Sequence, residues 1–88
     1  MSIKTTIQHV RDGLISDLLM LARRHEPLRE SSPQRYADEV RKDIRLYLAN
    51  ISNHPTMLDF YSLCHIRQDE FIRDVTETVM MMLFDDIN

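Results

Sequence analysis

Glycine is nearly absent, with Gly13 alone among 88 residues beside three prolines, Pro27, Pro33 and Pro55. Sheet proteins of this size need several turn residues that accept positive φ, so the shortage argues against a strand-rich fold and fits a few helices joined by short connectors. Cysteine is equally scarce. Cys64 cannot form an internal disulfide, and small secreted domains usually depend on such staples, which favours a reducing, cytoplasmic setting. Long apolar runs are missing too: the longest, Val79 to Phe84, falls far short of the roughly 20 residues of a membrane span. Neither a secretion signal nor a membrane partner is expected.

Positive charge is never concentrated. Residues 1–47 carry nine Lys/Arg and seven Asp/Glu, residues 48–88 two and seven, so the halves stand near +2 and −5 within a net −3. Such asymmetry favours packing of one half on the other or association between copies, and argues against a uniformly basic nucleic-acid surface. A chain this short buries only about 60–65% of its unfolded surface and leaves little core around a deep cleft, which disfavours an enzyme. Hydrophobic residues at 43% and charged residues at 28% are ordinary for a folded domain. The expectation is one all-α domain over residues 1–88, a three- or four-helix bundle that dimerises.

Apolar residues mark the helices. Ile7, Val10, Leu14, Leu18 and Leu21 recur at spacings of three and four, predicting a first helix from about Thr5 to His25. Ile15, Leu19 and Ala22 widen its buried face to reach two partners. Gly13 inside it suggests close approach of another helix. Pro27 stops this helix, since the residue before proline avoids the α region, and Glu26 to Ser31 read as a polar connector. Ser32 and Pro33 then mark a start. The second helix, 33–51, turns Tyr36, Val40, Ile44, Tyr47, Leu48 and Ile51 inward and offers the exposed pairs Arg35–Glu39 and Asp38–Lys42. After a loop at 52–55, Thr56 and Asp59 suggest capping of a third helix, 57–66, with Met57, Phe60, Tyr61 and Cys64 apolar. A polar interruption at Arg67 to Glu70 separates a fourth, 69–86, capped by Asp69 and built on Phe71, Ile72, Val75, Val79, Met82 and Leu83. One long terminal helix is the alternative.

Constellations with chemistry are weak. Ser62, His65 and Asp69 share a helical spacing but lack the glycine-rich turns from which an oxyanion hole is built. His54, Cys64 and His65 lack any paired ligand spacing. No catalytic residue, metal or cofactor is expected. Two surfaces do suggest binding. Glu70, Asp74 and Glu77 form an acidic strip, extended by Asp85 and Asp86, which oppose the helix dipole at that end. Met80, Met81 and Met82 fall consecutively, covering more sides of a helix than one core needs, and methionine suits adaptable contacts. Glu70, Asp74, Glu77, Met80, Met81 and Phe84 are therefore the expected contact with another protein. The function this implies is a non-enzymatic protein–protein interaction module: a regulatory adaptor, an inhibitor or a chaperone-like factor. A DNA-binding regulator using Arg35, Arg41, Lys42 and Arg45 is the alternative, weakened by acidic residues interleaved among them.

Overall fold

A computed structural model describes residues 2–84. The expected Asp85 and Asp86, and the end of the fourth helix they would form, lie outside the described residues. Five α-helices and one 3-10 turn account for nearly all of the rest, with no strand among the described residues. The all-α bundle is thus established. Its long members are α1 (Ile3–Ala22), α3 (Pro33–Ser52) and α5 (Gln68–Phe84), with a single-turn α2 (Leu28–Ser31) and a short α4 (Pro55–Leu63) at the two corners. The body measures 44 × 23 × 18 Å.

Direction follows from side-chain pairs. Tyr47 on α3 donates to Asp17 on α1 at 3.1 Å, and His25, just past α1, meets Asp43 at 2.6 Å, so α1 and α3 are antiparallel. Tyr36 packs edge-on to Phe84 while Leu48 lies level with Ile72, so α3 and α5 are antiparallel as well. It follows that α1 and α5 run side by side in the same direction. Arg11 on α1 reaches Asp74 and Thr78 on α5. A parallel pair needs a crossing between its members, and α3 with the α4 corner supplies it.

The periodicity of the sequence is that of the core. Leu14, Ile15, Leu18 and Ala22 of α1, Tyr36, Val40, Ile44 and Leu48 of α3, and Phe71, Val75 and Val79 of α5 are buried together. Phe60 and Tyr61 of α4 close one end, meeting Phe71 edge-on at centroid separations of 5.3 and 5.9 Å. Each fully buried aliphatic contributes about 1.5–3 kcal/mol relative to exposure. Gly13 behaves differently from expectation. It is exposed, and a β-carbon there would meet nothing within 4 Å, so no helix approaches it.

The helix boundaries shift from the sequence reading because the caps differ. Ser2 starts α1 two residues early, at Ile3: its hydroxyl accepts from the Thr5 N–H at 3.1 Å. Past Ala22 the chain tightens into a 3-10 turn, Arg23–His25, and Glu26 sits in the α region despite preceding Pro27. The proline therefore acts through its missing N–H rather than by expelling its neighbour. The expected connector Glu26–Ser31 holds the α2 turn, whose Leu28 packs on the core. Ser32 precedes Pro33 as expected, yet its hydroxyl makes no capping bond. His54, not Thr56, caps α4, its Nδ1 accepting from the Thr56 N–H at 3.3 Å.

The break between α4 and α5 falls at Cys64–Arg67, which excludes one long terminal helix. Ile66 N–H bonds the Tyr61 carbonyl at 2.9 Å and His65 N–H the Ser62 carbonyl at 3.3 Å, closing α4 with a left-handed His65 at φ 55°. Glycine usually fills that position, and its absence hid the stop. Asp69 lies inside the first turn of α5 rather than at its cap, because α5 begins at Gln68.

Candidate interaction surfaces

The acidic strip of α5 is only partly free. Glu70 lies 3.6 Å from Arg67 across the first turn, where a carboxylate also favours the positive end of the helix dipole. Asp74 is committed within the molecule. Arg11 Nε donates to it at 2.7 Å while Arg11 Nη2 donates to Thr78 Oγ1 at 2.9 Å, tying α1 to α5. The bond to Asp74 raises the Arg11 pKa above its ordinary value against the opposing effect of burial. Both side chains remain substantially exposed, so the pair contributes at most about 1 kcal/mol. Glu77 is exposed and forms no ion pair among the described residues.

Of the apolar candidates, the structure redistributes the methionines. Met80 and Phe84, expected at the partner face, pack against the core instead. Phe84 meets the Tyr36 ring edge-on at 5.6 Å, and Arg29 Nη2 donates to the Leu83 carbonyl at 3.3 Å, satisfying an acceptor near the end of the helix. That end of α5 leans on the α2–α3 corner, so the opposite side is left uncovered. Met82, expected in the core stripe, is 54% exposed there, and Met81 is 66% exposed. Glu70, Glu77 and Met81 thus share one outward stripe, with Asp74 between them turned to Arg11.

The four basic candidates Arg35, Arg41, Lys42 and Arg45 all project from α3 to solvent. Asp38 sits among them, accepting from Gln34 at 3.1 Å and lying 3.9 Å from Arg41, in place of the expected Asp38–Lys42 pair. Arg41 and Arg45 also border a feature the sequence did not reveal. A groove of about 380 Å³ runs between α3 and α5, floored by Leu48, Ala49 and Ile72. Thr76 lines it too, but its hydroxyl already donates to the Ile72 carbonyl at 2.7 Å. The groove therefore offers apolar surface with a cationic rim.

Ser62, His65 and Asp69 do not share one helix face, because the break at Cys64–Arg67 divides them. His54 and His65 stand at opposite ends of the nine-residue α4, about 13 Å apart along its axis. Among the described residues no group of three His, Cys, Asp or Glu side chains is placed to hold a metal ion. Cys64 is half-buried and lines a second groove, about 450 Å³, with Ile3, Val10, Phe60 and Leu63 between α1 and α4. No helix among the described residues is long and apolar enough to cross a membrane. The residues define the class of an all-α helical bundle. Comparison with family models, curated proteins and solved structures yields no match for this chain.

Proposed function

We propose that this protein is a non-enzymatic protein–protein interaction module, an adaptor-like or inhibitory factor of the cytoplasm that self-associates into a homodimer. One observation carries the reading. Met81 and Met82 expose 66% and 54% of their surface on a helix whose inward face is already satisfied by Phe71, Val75 and Val79, so folding does not require them. Met81, a large flexible apolar side chain on the same stripe as Glu70 and Glu77, suits a contact whose charge sets specificity and whose methionine supplies adaptable area. Met80 and Phe84 pack against the core rather than forming that surface.

The test is chemical cross-linking in the native cell with wild type and the double variant Glu77→Lys/Met81→Lys. Loss of the cross-linked species, with helicity unchanged by circular dichroism, supports the reading. Identical cross-linking in both chains contradicts it.

A second reading draws on Arg35, Arg41, Lys42 and Arg45 projecting together from α3: a DNA-binding regulator. Interleaved Asp38 weakens it, because phosphate binding gains from concentrated positive charge and counterion release. Titration with arbitrary duplex DNA decides: a steep salt dependence promotes this reading, and no binding at low salt removes it.

A further inference from the structure

We propose that the acidic stripe of α5 in one copy seats in the cationic-rimmed α3–α5 groove of a second copy, and the reverse, about a two-fold axis parallel to α5. This rests on the interaction-module reading and names the partner surface within it. Three observations carry it.

The two surfaces match in chemistry. The groove presents Leu48, Ala49 and Ile72 under Arg41 and Arg45. Arg45 has no ion pair among the described residues, and Arg41 only the 3.9 Å approach to Asp38. The stripe presents Glu70 and Glu77, with Met81 as its exposed apolar member. Guanidiniums prefer carboxylate partners, and Glu77 of the stripe stands at the height of the two arginines of the rim.

They also lie on the correct sides of one helix. At about 100° per residue, positions 70, 77 and 81 fall on one flank of the outward line of α5, positions 72 and 76 on the other, with Arg73 and Met80 between. Rotation about an axis parallel to the helix exchanges flanks. The stripe of each copy then faces the groove of the other, with the two Arg73 side chains level beside the axis, whereas an antiparallel pairing would set the carboxylates of one stripe against those of the other.

Their levels agree without any slide along the axis. The groove lies at the height of Ile72 and Thr76, inside the span from Glu70 to Glu77, which is about 10 Å. Arg41 and Arg45, about 6 Å apart on α3, stand within reach of a carboxylate at the Glu77 level. The contact closes as an isologous dimer instead of propagating.

Charge exchange tests this on the full chain by sedimentation equilibrium over a concentration series. Wild type is expected to reach twice the monomer mass. Arg41→Glu/Arg45→Glu and, separately, Glu70→Arg/Glu77→Arg are each expected to remain monomeric, since each sets like charges together at both contacts. Mixing the two variants restores the dimer, because one contact is then native and the other charge-reversed but complementary. Glu77→Arg alone serves as a second stripe variant, as Glu70 also belongs to the first turn of α5. Circular dichroism checks that each chain stays folded. A wild type that is monomeric throughout overturns the pairing, as does a dimer that both variants keep or a mixture that stays monomeric. If the wild type is monomeric yet cellular cross-linking still depends on Met81, the self-pairing falls and the interaction module stands.

Discussion

Helices α3 and α5 both wall the same core, but they treat their outward faces differently. On α3 the buried residues Tyr36, Val40, Ile44 and Leu48 follow one line, and the outer face is mostly polar or charged, with Leu46, 54% exposed, its one large apolar member. On α5 the line Phe71, Val75, Val79 is equally buried, yet Met81 and Met82 remain outside it. The single buried line of α3 is explained by folding alone. The apolar surplus of α5 is not, and that difference is what points to a partner.

Mutations at the inner lines should affect both helices alike. Ile44→Ala, at a side chain 1% exposed, is expected to cost about 2–5 kcal/mol, read as a lowered urea midpoint with unchanged slope. A loss below about 1 kcal/mol would mean that α3 does not wall the core as described. Next in size is an effect peculiar to α3. The Tyr36 hydroxyl is buried without a hydrogen-bond partner, so Tyr36→Phe should leave stability unchanged or raise it by about 1 kcal/mol, since an unsatisfied buried hydroxyl costs about 1–3. Marked destabilisation would show that the hydroxyl is satisfied.

Burial also pushes the Tyr36 phenol above its ordinary pKa, reinforced by Glu26, and burial with the Asp17 hydrogen bond does the same for Tyr47. A folded-state pKa raised for an acid means that the native chain holds its proton longer. The associated stability is complete below the ordinary tyrosine pKa of about 10 and is lost as pH climbs through the folded value. Absorbance titration should accordingly show these two α3 phenols ionising late, together with alkaline unfolding. Ionisation of all three tyrosines in one step near 10 would contradict that.

Smaller still, Gly13→Ala on the exposed side of α1 should stabilise by about 0.5–1 kcal/mol, because alanine fits the helix and meets no neighbour. Destabilisation would reveal a close contact at that site. The smallest expected change marks the contrast most sharply: Met81→Lys on α5 should alter monomer stability by no more than about 0.5 kcal/mol while abolishing association.

Periodicity made the long elements legible because burial at every third or fourth residue is imposed by helix geometry. The pattern of the second helix ends within one residue of the observed Ser52, and the inward lines of α1 and α3 follow the predicted stripes. Local chemistry was less visible. His54 caps α4 with a ring nitrogen and His65 closes it at positive φ, roles that other residue types usually fill, and the Ser2 cap stands ahead of the first apolar residue of the helix. Ion pairs between helices, such as Arg11 with Asp74, depend on a docking that sequence spacing does not encode. The methionine run shows the same limit: it announced an apolar surplus, but only the lean of the helix end onto Tyr36 and Arg29 decided that Met80 packs inward and Met82 does not. The groove of Arg41 and Arg45 with Ile72 joins residues about thirty positions apart and had no signal in the chain.

The central claim, that the outward stripe of α5 serves association rather than folding, is tested most directly by sedimentation velocity of wild type and Met81→Lys across a concentration series. The account predicts a sedimentation coefficient that rises with concentration for wild type and stays at the monomer value for Met81→Lys, with the same thermal midpoint for the two chains at the lowest, monomeric concentration. Superimposable sedimentation at every concentration would contradict it.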